Sequence, residues 1–95
     1  MDDRSDFICL HAEYTGEVQG VGFRFTTHSI AKRYPVAGFV QNRPNGRVLL
    51  VIQGNRSVVH KVLHEIERCF IGHIDDCIKQ EKPLNNDLTS FSIRY

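Results

Sequence analysis

A glycine-rich loop that ends in an arginine is the stretch of this sequence with the clearest chemical potential. Residues 15–24 read TGEVQGVGFR and contain Gly16, Gly20, Gly22 and Arg24. Glycine lets a backbone approach a ligand closely, and successive N–H groups of such a loop can converge on an anion. Beyond this loop the apolar residues follow a helical period, and a helix N-terminus favours negative charge. Because a guanidinium matches a phosphate in a two-pronged geometry, the pattern indicates a phosphate-binding loop.

The same pattern, taken alone, is also that of an ordinary turn between a strand and a helix. It fits neither of the named nucleotide-binding motifs. The Walker motif ends in Gly-Lys-Ser/Thr, whereas Gly22 is followed by Phe23 and Arg24, and the dinucleotide motif needs a third glycine where Phe25 stands. A small phosphate group therefore suits the loop better than a nucleotide.

Length and composition narrow the classes of protein. The chain has 95 residues and a formal net charge of +1, which predicts one domain over residues 1–95 and no basic surface for nucleic acid. No run of 18 apolar residues occurs and the start, MDDRSDFICL, is acidic and polar, so we expect no membrane segment and no signal peptide. The odd set of Cys9, Cys69 and Cys77 favours reduced thiols. We expect a free-standing, monomeric, cytoplasmic protein.

Hydrophobic periodicity predicts an alternating order of strands and helices. The predicted strands span 7–14, 36–42, 47–53, 74–81 and 90–95, and the predicted helices 23–34 and 56–69. The order β-α-β-β-α-β with a short C-terminal strand is typical of the α+β, ferredoxin-like split βαβ fold, an antiparallel sheet with two helices on one face. The apolar run at 48–52 predicts a central third strand, and the charged segment 74–81 predicts an edge strand. In the split βαβ arrangement we expect the first and third strands to lie centrally and parallel.

Histidines and cysteines around the second helix form a second candidate site, for a metal ion. The residues concerned are His60, His64, Cys69, His73 and Cys77. Their spacing matches no common zinc module, and the apolar stripe of the helix leaves its two histidines to the flank or to solvent. We therefore expect no metal and no cofactor, with adventitious metal binding at this set left open.

Three segments of the sequence resemble the acylphosphatase family. They are VQGVGFR at 18–24, GFVQN at 38–42 with the Asn-Gly hairpin after it, and FSIRY at 91–95. The resemblance extends from about Phe7 to Tyr95. It implies a hydrolase that cleaves the carboxyl-phosphate bond of small-molecule acyl phosphates, without metal, to a carboxylate and inorganic phosphate. Phosphate would then be both product and inhibitor.

The resemblance also implies roles for individual residues. Arg24 would bind the phosphoryl oxygens and Asn42 would orient the attacking water. The backbone amides that would share the phosphate with Arg24 are those of Glu17, Val18, Gln19, Gly20, Val21 and Gly22. Glu17 stands where the family often has a basic residue, and its carboxylate would weaken phosphate binding if it pointed inward.

Two other functions remain open at this point. One is a regulatory module that binds phosphate or another anion without turnover. The other is an RNA-binding module on the same fold, in which Phe39 would stack on a base. The third strand, RVLLVIQ, lacks the aromatic residues of such a module, and the chain lacks a basic patch.

Overall fold

The computed structural model describes residues 6–95, which form a five-stranded sheet and two helices. The elements are β1 (Phe7–Gly16), α1 (Phe23–Ala31), β2 (Ala37–Asn42), β3 (Val48–Asn55), α2 (Arg56–Cys69), β4 (Ile74–Lys82) and β5 (Phe91–Arg94). The predicted order and the α+β class are confirmed. Residues 1–5, on which the expectation about a signal peptide partly rests, lie outside the described residues. The single domain over 1–95 stays a prediction.

The first helix is shorter than the periodicity predicts. It ends at Ala31, because the amides after Lys32 bond carbonyls only three residues back, Arg33 to Ile30 and Tyr34 to Ala31. A proline disfavours helical geometry in the residue before it, so Pro35 converts the last predicted turn into a tight non-helical one.

The order of strands in the sheet is β4-β1-β3-β2-β5. The central position of β3 and the edge position of β4 are therefore confirmed. The predicted parallel pairing of the first and third strands is wrong, because β1 pairs with β3 antiparallel. The crossover through α1 makes β1 and β2 parallel, and the short hairpin after β2 reverses the chain into β3, which inserts between them.

The last strand makes the sheet mixed rather than wholly antiparallel. β5 pairs in parallel with β2, from Gly38 opposite Phe91 to Gln41 opposite Arg94. The segment 83–90 crosses the end of the sheet from the β4 edge to the β5 edge. Gln53 holds this segment, since its side chain donates to the carbonyl of Asn85 and accepts from the Asn85 amide.

Both helices pack into the same hydrophobic core. The stripe of α2 formed by Val59, Val62, Leu63 and Ile66 is buried, as the sequence predicts. The side chain of Phe23, at the start of α1, lies between Tyr14 and Phe70, with ring centroids 5.3 and 4.6 Å away. This aromatic cluster fixes the first turn of α1 against the sheet, next to the glycine-rich loop.

Candidate active site

The glycine-rich loop ends in a left-handed turn that leads directly into α1. Gly20 and Gly22 have φ of 80° and 81°, values that glycine adopts without strain. Gly22 is the N-cap of α1; it offers no side-chain acceptor, and the first turn contains no acidic residue. The first N–H groups of the helix therefore lack a protein cap and, with the helix dipole, favour an anion.

Three hydrogen bonds anchor the loop to neighbouring turns. The Gln19 side chain donates to the carbonyl oxygens of Arg43 and Arg47, at 2.8 and 2.9 Å, and so ties the loop to the β2–β3 hairpin. The Glu17 amide donates to the His73 carbonyl at 2.8 Å, in the turn before β4. The hydrogen of the Glu17 amide is therefore already used in this arrangement, and the expectation that this amide binds phosphate stays a prediction. The available loop amides begin at Val18.

A cavity of about 290 Å³ lies between the loop, the start of α1 and the end of β2. Its lining residues are Val18, Gly20, Gly22, Phe23, Arg24, Phe25 and Asn42. The structure thus brings Arg24 and Asn42 together, although 18 positions separate them in the sequence. The predicted residues Glu17, Gln19 and Val21 do not line the cavity, and the exposed Glu17 carboxylate does not point into it.

Asn42 is the last residue of β2 and points to the same face of the sheet as buried Val40. Its Oδ1 atom is buried and has no hydrogen-bond partner within residues 6–95. An unpaired buried acceptor costs roughly 1–3 kcal/mol, which a donor in the cavity would recover. A water molecule held at this oxygen would satisfy it.

The Arg24 side chain is held by an aromatic ring rather than by a carboxylate. Its Cζ lies 4.9 Å from the centroid of the Tyr95 ring, a cation–π contact. The ion pairs found within the described chain use other cations, namely Arg33, Arg47, Arg56 and Lys79. Contact with a ring face leaves the guanidinium N–H groups free, in their plane, for an anion.

The aromatic cluster behind the loop is fixed by a buried hydroxyl. Tyr14 donates to Glu67 Oε2 at 2.8 Å, and Lys79 Nζ contacts the same oxygen at 2.8 Å. Burial, followed by the charge of Glu67, raises the pKa of Tyr14 far above its ordinary value. The hydroxyl therefore stays protonated, and its ring forms a fixed wall behind Phe23.

The cavity contains no acid, histidine or cysteine among its lining residues. No side chain in it is therefore placed to act as a general base. In the part of the chain that the structure describes, no three His, Cys, Asp or Glu side chains are placed to hold a metal ion together. His60, His64 and Cys69 are exposed, and the expectation of metal independence stays a prediction.

A larger groove of about 390 Å³ lies on the opposite, helix-free face of the sheet. It is lined by His11, Glu13, Arg43, Leu49, Ile78, Gln80 and Lys82. The Glu13 carboxylate in this groove already pairs with Arg47 at 2.8 Å. The groove contains neither amides of the glycine-rich loop nor a helix N-terminus. The smaller cavity, where anion donors and an unsatisfied amide oxygen lie together, is therefore the candidate active site.

The structure argues against a base-stacking platform. Phe39 lies on the helix-free face, but the Arg94 guanidinium covers its ring, with Cζ 3.7 Å from the centroid. A base would have to displace this cation before stacking on the ring. Among residues 6–95 no helix has the length and apolar character needed to cross a membrane.

The chain has a ferredoxin-like α+β fold, and its candidate site combines a glycine-rich loop, an arginine and an asparagine. The family model described as Acylphosphatase matches residues 10–93, so the chain belongs to the acylphosphatase family. An acylphosphatase of Mycolicibacterium smegmatis is 38% identical over 92 residues, which cover 96% of this chain and 94% of that protein. The resemblance drawn from the sequence is therefore confirmed.

Two further comparisons agree. An acylphosphatase of Acaryochloris marina is 41% identical over 58 residues, so the match spans 61% of this chain and 62% of that protein. The crystal structure of acylphosphatase from Bacillus subtilis superposes with a TM-score of 0.81 at 26% identity, over 93% of this chain and 99% of that one. These matches support an enzyme and do not favour the regulatory or RNA-binding alternatives.

Sequence reasoning missed Phe23 and Phe25 as lining residues. Phe23 is part of the predicted buried stripe, and its contribution to the cavity wall depends on the loop conformation. Phe25 could have been found from the sequence, because it is a large apolar residue that lies outside the buried stripe of its helix.

Proposed function

We propose that this acylphosphatase hydrolyses acyl phosphates with Arg24 and the loop amides as the phosphate site and with Asn42 as the residue that orients water. The observation that carries the proposal is the cavity that joins an uncapped helix N-terminus, a free guanidinium and an unsatisfied buried amide oxygen. These groups are complementary to a phosphoryl group and to one water beside it.

The phosphate site is electrostatic. In phosphoryl transfer the negative charge is spread over three equatorial oxygens of a loose transition state. The N–H groups from Val18 to the first turn of α1 and the fork of Arg24 would donate to those oxygens. Because the donors are fixed by the fold before the substrate binds, they need no reorganisation during the reaction.

Asn42 would hold the nucleophile. Its Oδ1 accepts a hydrogen from the water, whose oxygen then attacks phosphorus opposite the bond to the carboxylate. The new bond joins the water oxygen to phosphorus, and the bond that breaks joins phosphorus to the carboxylate oxygen. Both electrons of the broken bond leave with the carboxylate, which is a good leaving group.

The proton of the water would go to the phosphate itself. The cavity has no carboxylate, imidazole or thiol among its lining side chains, whereas the phosphoryl oxygens of a bound substrate would lie next to the attacking water. The acyl phosphate and water then yield a carboxylate and inorganic phosphate with no cofactor. Positioning and charge stabilisation suffice for this leaving group.

We further propose a monomer in the cytoplasm that has no nucleic-acid partner. Cys9, Cys69 and Cys77 are all free thiols, which supports a reducing compartment. The net charge of +1 and the covered ring of Phe39 give RNA little to bind.

Hydrolysis of benzoyl phosphate, measured with and without excess chelator and then with inorganic phosphate, tests the reaction. We expect turnover that the chelator leaves unchanged. Phosphate should inhibit competitively, with a constant in the millimolar range or below, about −4 kcal/mol. Activity that vanishes with chelator and returns with magnesium would contradict the metal-independent reaction, and purely noncompetitive inhibition would place the anion site elsewhere.

A further inference from the structure

Two exposed aromatic rings adjoin the arginine of the site. Phe25 follows Arg24 in α1, lines the same cavity and is 68% exposed. Tyr95 contacts the guanidinium and is 86% exposed. An exposed ring at the edge of a ligand cavity offers apolar surface that a bound ligand can cover, and covering it is favourable.

The fold does not explain Phe25. The buried residues of α1 are Phe23, Thr27, Ile30 and Ala31. Phe25 lies about 200° around the helix from Phe23, since each residue advances ~100°. Packing of the core would allow a polar side chain at this position equally well. The cavity is therefore the part of the surroundings in which an apolar ring has a use.

The cavity also has room beyond the phosphate. Its volume of about 290 Å³ is close to the ~300 Å³ at which pockets begin to enclose whole small ligands. Its polar groups, the loop amides with Arg24 and Asn42, are used by the phosphoryl group and the water. The acyl group is attached to phosphorus through a single oxygen, so it must lie within a few bonds of these groups, at the apolar wall.

We propose that Phe25 forms an acyl-group subsite and that the preferred substrates are acyl phosphates with an apolar, above all aromatic, acyl group. This inference rests on the proposed function of the same cavity. The phenyl ring of a benzoyl group would pack against Phe25 while the phosphate occupies the loop. A ring contact of this kind is present in both the ground state and the transition state, so it lowers KM more than it raises kcat.

The test compares two substrates that differ in the acyl group. We would measure kcat and KM for benzoyl phosphate and acetyl phosphate, and the inhibition constant of phosphate, in wild type, Phe25→Ala and Phe25→Leu. With benzoyl phosphate, Phe25→Ala should lose about three- to tenfold in kcat/KM, mainly through KM, which is the size of one aromatic contact. With acetyl phosphate the loss should stay within about twofold, because a methyl group barely reaches the ring. Phe25→Leu should fall between wild type and Phe25→Ala.

Leu84→Ala is the matched control. Leu84 is also an exposed apolar residue, at 44%, but it lies in the segment that crosses the opposite end of the sheet. This variant should keep both activities. The phosphate inhibition constant and the thermal melt should stay at wild-type values in all variants.

Equal losses for the two substrates, or no loss for benzoyl phosphate, would overturn the subsite. A wild-type chain that hydrolyses neither substrate would instead refute the proposed function, so the two failures can be told apart.

Discussion

The hydroxyl of Tyr14 should stabilise the fold behind the active site, and Tyr14→Phe isolates it. The ring is buried and its O–H donates to Glu67, so the variant keeps the ring packing on Phe23 and removes one hydrogen bond to a charged acceptor. Such a bond contributes roughly 1.5–3 kcal/mol. Glu67 keeps Lys79 and is about a third exposed, which reduces the cost of losing its partner. We expect Tyr14→Phe to lower the free energy of unfolding by about 1–2 kcal/mol at pH 7.

The same contact predicts how this difference changes with pH. Burial and Glu67 raise the pKa of Tyr14 in the folded state, whereas the unfolded chain titrates near ~10. The stabilisation is complete below pH ~10 and is lost above it, because there the unfolded tyrosine releases its proton while the folded one retains it. At pH 11 the free energy of unfolding of wild type should fall by about 1.4 kcal/mol relative to that of Tyr14→Phe. The difference in free energy of unfolding between the two proteins should therefore nearly vanish.

Urea unfolding of both proteins at pH 7 and pH 11 measures the two gaps. Tyr34→Phe is the matched control, because Tyr34 also donates to a glutamate, Glu65, but is only partly buried, whereas Tyr14 is fully buried. It should change the free energy of unfolding much less. A Tyr14→Phe variant as stable as wild type at pH 7, or a gap that persists at pH 11, would refute this reasoning.

Two more predictions concern the loop and the helix-free face. Gln19→Ala removes both hydrogen bonds from the loop to the β2–β3 hairpin. It should therefore raise the phosphate inhibition constant and lower the free energy of unfolding by roughly 1–2 kcal/mol. Unchanged inhibition and stability would show that these bonds do not hold the loop. Single-stranded RNA should bind weakly at physiological salt, as fluorescence anisotropy would show. Tight, salt-resistant RNA binding that Phe39→Ala abolishes would contradict the assignment of that face.

The sequence predicts the element order because the apolar periods of α2 and β1 reflect one buried face each. It does not predict strand direction as directly. The apolar run in β3 indicates burial on both sides, but parallel or antiparallel pairing depends on how the connections run, and the direction expected from the split βαβ arrangement is wrong. The parallel pairing of β5 likewise depends on a loop that crosses the end of the sheet.

The site residues are predicted from motif likeness rather than from geometry, and their roles stay a prediction. The juxtaposition of Arg24 and Asn42 requires the parallel placement of β1 and β2, which brings the loop after one beside the end of the other. The bond from the Glu17 amide to His73 joins distant segments, so no local pattern in the loop foretells that this donor is used. Phosphate binding by this amide would require the bond to His73 to be given up.

Substitution of Arg24 and substitution of Asn42 should change the kinetic constants in different ways. Arg24→Ala should raise KM, lower kcat and abolish competitive inhibition by phosphate, since in the proposed mechanism the guanidinium binds the phosphoryl group throughout the reaction. Arg24→Lys should rescue poorly, because an ammonium cannot reproduce the fork. Normal inhibition by phosphate in Arg24→Ala would show that Arg24 does not bind phosphate.

The most direct test of the account is kcat of Asn42→Ala at saturating benzoyl phosphate. We predict a fall of roughly 10²–10³-fold, as for other single polar groups that act in the transition state, with KM and phosphate inhibition near wild type. The variant should melt no lower than wild type, because the oxygen it removes is buried without a partner among residues 6–95. Full kcat in a folded Asn42→Ala protein would contradict the claim that Asn42 orients the attacking water.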